Sequence, residues 1–136
     1  MMWKIVKNNG QDLSFAVSSL FHGVVDINEF QLWLYEVVRS TPTEDTPNYI
    51  FDLLDSDGSF AEIHEIIGFV PTSGMSELQD DALIGIAFLR GKDMYDPPIS
   101  KKRALRALQK CPEIYDRFRH FFPFVELPDM PAADTD

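Results

Sequence analysis

The sequence predicts an all-α fold: a single compact helical domain of about seven helices, with a buried central helix at about 76–90. Three observations carry that reading. Apolar residues recur at intervals of three and four, the spacing of one helix face. Capping residues stand before most of these stretches, with a bonding partner three positions on. Glycine or proline closes most of them. The chain of 136 residues has the length of one domain. It can bury roughly two-thirds of its unfolded surface, so it needs no disulfide or metal to stand. Residues 1–126 are assigned to the domain. Residues 127–136 (LPDMPAADTD) read as a disordered acidic tail.

Residues 1–9 fit either a short strand or a helical lead-in. From Asp12, the residues Leu13, Ala16, Val17, Leu20 and Phe21 line one helix face, and Gly23 ends it. Asp26 with Glu29 forms a capping box. Ile27, Phe30, Leu34, Val37 and Val38 follow as a buried stripe, which Leu32 and Trp33 widen. Thr46-Pro47 reads as a cap and first-turn proline of a short helix over about 47–55. Ser59 with Glu62 opens a fourth helix, with Phe60, Ile63, Ile66 and Ile67 on one side and Gly68 at its end. Ser76 with Gln79 opens the fifth. Its residues 82–89 carry no polar side chain, which predicts burial on all sides. Ser100 caps a sixth helix with Ala104, Leu105, Leu108 and Cys111 inward. Pro112 starts a seventh, with Ile114, Tyr115, Phe118, Phe121 and Phe122 as its apolar face.

Charge is distributed unevenly. The chain holds 22 acids and 12 Lys or Arg, a net charge of −10. Ten of the acids lie between Ser40 and Leu89, a stretch with no Lys or Arg: Glu44, Asp45, Asp52, Asp55, Asp57, Glu62, Glu65, Glu77, Asp80 and Asp81. The rest of the chain is neutral. A soluble surface normally mixes the two signs. The pairs Asp52/Asp55 and Glu62/Glu65, three residues apart, put like charges on one helix face, which slightly disfavours the helix. A concentrated negative field attracts a basic partner and speeds encounter. It also repels phosphates, so nucleic acid and anionic membranes are not expected as direct partners. The cations Lys101, Lys102, Arg103, Arg106 and Lys110 either neutralise part of the acidic block within the fold, the simpler reading, or form a second contact zone.

The motifs of common chemistry fail on inspection. Asp55-Ser56-Asp57-Gly58-Ser59 begins like a calcium loop, but that loop needs glycine at its sixth position and glutamate at its twelfth. Phe60 and Ile66 stand there, so the segment reads as a turn with a cap. His64-Glu65-Ile66-Ile67-Gly68 begins like a zinc protease helix, but Gly68 replaces the second histidine. His22 and His120 sit at helix C-termini, where an imidazolium is favoured. Cys111, the one cysteine, reads as a small core residue and fits a reducing compartment. There is no glycine-rich phosphate loop and no Gly-x-Ser-x-Gly turn. No enzyme activity, metal or cofactor is expected.

The stretch from Leu20 to Tyr35 (Leu20-Phe21-His22-Gly23 leading into Glu29-Phe30-Gln31-Leu32-Trp33-Leu34) resembles a pattern of small bacterial immunity proteins. In those proteins a Leu-Phe-x-Gly turn leads into a helix carrying Glu-Phe-x-x-Trp-Leu. Tyr49-Ile50-Phe51-Asp52-Leu53-Leu54 is similar to their following helix. The resemblance covers about the first half of the chain and rests mostly on core-forming residues. Immunity proteins of this kind neutralise toxins of contact-dependent inhibition and related polymorphic toxin systems. Many toxin nucleases are basic, and acidic helical immunity proteins bind them. The nuclease immunity proteins of colicins share this logic, but their sequence pattern does not match.

The resemblance and the charge pattern together lead to one expectation. The chain is a bacterial toxin-immunity protein that binds a cognate basic toxin domain, a nuclease, through its acidic surface. The expected contact residues are Glu44, Asp45, Tyr49, Asp52, Asp55, Asp57, Glu62, Glu65, Asp80 and Asp81, with Tyr95 as a further aromatic anchor. The alternative is an acidic helical adaptor for some other basic protein. No signal peptide and no membrane span are read in the sequence, so a cytoplasmic location is expected.

Overall fold

Local signals set most of the helix boundaries. The computed structural model describes residues 3–71, 73–92 and 97–130. Among them are seven α-helices and no strand: α1 (Gln11–Phe21), α2 (Ile27–Ser40), α3 (Asn48–Leu54), α4 (Phe60–Ile67), α5 (Glu77–Leu89), α6 (Lys101–Lys110) and α7 (Pro112–Phe121). A 3-10 turn, Thr43–Asp45, lies between α2 and α3. The all-α prediction therefore holds. Tyr95 and residues 131–136 of the expected tail lie outside the described residues.

The caps follow the sequence closely. Asp26 accepts the Glu29 amide at 2.8 Å and Glu29 accepts the Asp26 amide at 3.0 Å. Each bond satisfies an amide that the first helical turn leaves without a partner. Ser76 and Gln79 form the same reciprocal pair. Ser59 accepts from Glu62 at 3.2 Å, but the box there is half made. The Ser59 amide instead donates to Asp57 at 2.8 Å. At α3 the N-cap is Pro47, one residue later than expected, with no side-chain cap bond. The Thr46 hydroxyl donates back to the Pro42 carbonyl at 3.0 Å, closing the 3-10 turn rather than opening the helix. Gly68 ends α4 at φ +76°, a left-handed conformation that costs glycine nothing.

Contacts group the chain into two units. The first comprises Met1–Phe21 and Asp26–Gly74 and holds α1 to α4. Its core includes Leu13, Phe15, Phe30, Trp33, Leu34 and Ile50, all fully buried. Each such side chain contributes roughly 1.5–3 kcal/mol of burial. The N-terminal lead-in is neither strand nor helix. It is a tight turn with a single bridge between Val6 and Asn9. The Lys4 carbonyl accepts the Asp12 and Leu13 amides, and the Lys4 amide in turn donates to the Asp12 carboxylate. The Trp3 ring meets Trp33 edge-on, at 5.6 Å between centroids.

The second unit comprises His22–Val25 and Met75–Asp136. Helix α5 is its centre, packing against α6 and α7. Residues Asp81–Ala87 of α5 are buried without a break; of the run 82–89 expected to be buried on all sides, Phe88 and Leu89 are only half-buried. Gly85 allows α6 to approach. A Cβ placed on it would lie 2.5 Å from the Ala104 carbonyl oxygen. The Arg90 guanidinium donates to the Val24 carbonyl at 2.6 Å, which ties segment 22–25 to this unit. All five predicted apolar residues are buried, four of them on α7 and Phe122 at its C-cap. The Tyr115 hydroxyl donates to the Pro128 carbonyl at 2.8 Å, holding the chain just beyond residue 127.

Candidate protein-interaction surface

Most of the expected contact acids lie in the first unit and face solvent. Glu44 and Asp45 are exposed in the 3-10 turn. Asp52 on α3 and Asp55 at its C-cap are exposed, while Ile50 and Leu53 take the inner face of the helix. Asp57 is exposed in the turn after α3, and Glu65 is exposed on α4. Glu62 is half-buried.

Asp57 and Glu62 are brought together. The Asp57 amide donates to the Glu62 carboxylate at 3.4 Å, and the two side chains share a hydrogen bond. The Ser59 amide and hydroxyl hold the Asp57 carboxyl below its ordinary value. The hydrogen bond from Glu62 to charged Asp57 pushes the Glu62 carboxyl upward, and repulsion from Asp57 and Glu65 adds to it.

Three expected contact residues are placed differently. Tyr49 is half-buried. Its hydroxyl donates to the Ile5 carbonyl, and its ring meets Phe69 edge-on at 5.6 Å. It therefore fastens α3 to the N-terminal lead-in. Burial pushes its phenol upward. Asp80 and Asp81 belong to the second unit. Burial raises the Asp80 carboxyl, with His22 opposing the shift and Asp81 and Glu77 adding to it. Asp81 is only 8% exposed. Arg103 donates to its Oδ2 from Nε at 3.2 Å, and Arg103 Nη2 lies 3.1 Å from the same oxygen. Arg103 also stands 3.6 Å from Glu77. The basic helix thus neutralises part of the acidic block within the fold, at Asp81 and Glu77.

The structure adds apolar residues that the sequence reading had buried. Phe60, expected on the inner face of α4, is 65% exposed. Its ring packs 4.7 Å from Phe21 and stacks on His64 at 5.9 Å. With Val17, Ile67 and Val70 these residues line a groove of about 210 Å³ on the first unit. Phe60, Ile63, His64 and Ile67 fall on one side of α4, while Glu62 and Glu65 fall on another. The helix thus has an apolar flank and an acidic flank. Leu32, also expected in the core, is exposed, as is Tyr35 one turn on. The first-turn position of Phe60, directly after its cap, was the available signal. Leu32 sits outside the strict row of Phe30, Trp33, Leu34 and Val37.

A different cleft, of about 580 Å³, lies between α5 and α6 in the second unit. Glu77, Leu78 and Asp81 form one wall; Lys102, Arg103, Arg106 and Lys110 form the other. Cys111 is buried, and that burial, ahead of the neighbouring Glu113, raises its thiol. Among the described residues no group of three His, Cys, Asp or Glu side chains could hold a metal ion. None of the described helices is long and apolar enough to cross a membrane. Comparison with family models, curated proteins and solved structures finds no match for the chain.

Proposed function

We propose that this protein is a toxin-immunity protein that neutralises a cognate basic toxin domain by non-enzymatic binding. The toxin of this reading is a nuclease of a contact-dependent or related polymorphic system. The observation that carries the proposal is the exposure of Glu44, Asp45, Asp52, Asp55, Asp57 and Glu65 on one unit, in a fifty-residue block with no cation. Buried acids with internal partners would have a structural explanation; exposed acids concentrated this way favour a basic partner. The neighbouring groove supplies what charge alone lacks, since tight interfaces rest on a few aromatic anchors within a polar rim. Phe60 and Phe21 take that part in this reading, in place of Tyr49. Bound there, the protein covers the toxin's active site or its nucleic-acid groove.

The test is titration calorimetry with the toxin domain encoded immediately upstream. A one-to-one complex that abolishes toxin activity supports the proposal. No complex at low salt contradicts it. A second reading, an acidic adaptor for another basic protein, is favoured by the cation-lined cleft, which gives the chain a second charged surface. A neighbouring gene without a toxin module would shift the balance to it.

A further inference from the structure

We infer that the groove between α1 and α4 receives one aromatic side chain of the basic partner, while a lysine or arginine of the same partner segment rests on Glu65; this rests on the interface proposed above. The two helices build the groove alike. Each lends it four residues at i, i+3, i+4 and i+7, from Ser14 to Phe21 on α1 and from Phe60 to Ile67 on α4, the spacing of one helix face. Val17, Ile63 and Ile67 are buried and form its floor. Phe60 and Val70, 65% and 77% exposed, stand as its rim. A rim and floor joined in this way make a continuous apolar patch, which marks a binding surface where scattered apolar residues do not.

Size and charge indicate the occupant. The groove holds about 210 Å³. That is below the roughly 300–1,000 Å³ of small-molecule sites, yet a cavity of about 150 Å³ accepts a benzene ring. One aromatic side chain fits, and aromatic anchors on the two sides of an interface tend to pair. No Asp, Glu, Lys or Arg lines the groove, so no charge is buried beneath the ring. Just beyond the rim, Ala61 and Glu65 are exposed. Ala61 neighbours both His64 and Glu65 on the helix surface, at spacings of three and four residues. Only a methyl group therefore separates the groove from the Glu65 carboxylate. A partner helix with its ring and its cation one turn apart, about 6 Å, spans that saddle. Helix α4 itself has no Lys or Arg to compete for Glu65. A second copy of the chain would bring its own net charge of −10, and a fatty acid an anionic head, so the acids of α4 repel both.

The experiment uses the full chain and a labelled sixteen-residue alanine-based helical peptide, with tryptophan at its centre and a lysine one turn to each side. Binding is read by fluorescence anisotropy and by NMR amide shifts. The wild-type protein is expected to bind with a Kd below about 1 mM, with shift changes centred on 14–21 and 60–67. Replacing the tryptophan by alanine is expected to weaken binding at least tenfold, and replacing the lysines by glutamate at least fivefold. Ser18 is half-buried in the groove lining. S18W fills the groove and is expected to weaken binding at least tenfold with an unchanged circular dichroism spectrum; F60A, which removes the rim, replaces it should S18W fail to fold. E65K is expected to lose at least threefold. E44K, the same charge change on the Thr43–Asp45 turn, is expected to stay within twofold of wild type. No binding, full affinity in the groove variant, equal losses in E65K and E44K, or tighter binding of laurate than of the peptide would each overturn the inference. So would self-association of the protein that S18W or F60A abolishes. A peptide that fails where the upstream toxin binds strikes the groove reading alone, whereas a toxin that does not bind contradicts the proposed function.

Discussion

Arg103 directs two nitrogens, Nε and Nη2, at one oxygen of Asp81, at 3.2 and 3.1 Å. The carboxylate is nearly buried, whereas the Arg103 side chain is 57% exposed. The pair therefore holds a buried acceptor from the solvent side. Arg103→Ala is expected to lower the free energy of unfolding by about 1 kcal/mol, the low end of the cost of an unmatched buried group, because water reaches the site. Lys102→Ala and Lys110→Ala are expected to change it by less than about 0.5 kcal/mol, as surface substitutions do. Urea unfolding of the three variants measures both.

Gly85 offers a test of the α5–α6 contact in which two effects have opposite signs. Alanine in a helix interior gains up to about 1 kcal/mol over glycine. The new Cβ would lie 2.5 Å from the Ala104 carbonyl oxygen and 3.1 Å from the Leu108 Cβ. The oxygen belongs to backbone and cannot rotate away, so the overpacking cost lies at the top of the 1–3 kcal/mol range. Gly85→Ala is therefore expected to destabilise the protein by about 2 kcal/mol net. A rise in melting temperature would show that the helices separate more easily than the packing implies.

The Asp57–Glu62 pair predicts a split titration. Asp57 has its carboxyl lowered, so its contribution to stability is present above its unfolded-state value and is lost as pH falls through its folded one. Glu62 has its carboxyl raised, so the folded state gains relative stability as pH falls through that value, when Glu62 protonates and donates to Asp57. Carbon-detected NMR titration should place the Glu62 midpoint above the ordinary glutamate value and the Asp57 midpoint below that of aspartate. In Asp57→Asn the Glu62 midpoint should fall back toward normal. Unchanged behaviour there would mean the two carboxyls do not share a proton.

Phe60 separates folding from binding. Phe60→Ala is expected to cost less than about 1 kcal/mol of stability, because the ring is mostly in solvent. Phe15→Ala, in the same unit but fully buried, is expected to cost about 3–5 kcal/mol. On the proposed function, Phe60→Ala weakens the toxin complex at least tenfold, about 1.4 kcal/mol. Calorimetry beside thermal unfolding gives both numbers for each variant.

The helices were legible because their ends are written locally. Asp26/Glu29 and Ser76/Gln79 close their boxes across three residues, which needs no knowledge of the rest of the fold. The buried run of α5 was legible for a similar reason, since no polar side chain interrupts residues 82–89. What was not legible depends on neighbours distant in sequence. Phe60 has the spacing of a core residue, but the inner side of α4 is filled by Ile63 and Ile67, and Phe60 is left at the rim with Phe21. Tyr49 looks like a free aromatic until the Ile5 carbonyl, 44 residues earlier, takes its hydroxyl. Asp81 reads as part of the acidic surface until Arg103 arrives from another helix. For the candidate site, charge could be read from the sequence, but exposure could not.

The central claim is that the exposed acids of the first unit capture a basic toxin. The measurement that tests it most directly is the association rate constant with that toxin at about 50 and 500 mM salt, since screening shortens the reach of the field from roughly 14 to 4 Å. For the wild-type protein the rate is expected to fall at least tenfold across that range. The D52K/D55K/E62K/E65K variant should keep its helical spectrum, associate slowly at both concentrations and show little salt dependence. A wild-type rate indifferent to salt, or a charge-reversed variant that associates as fast as the parent, would contradict the account.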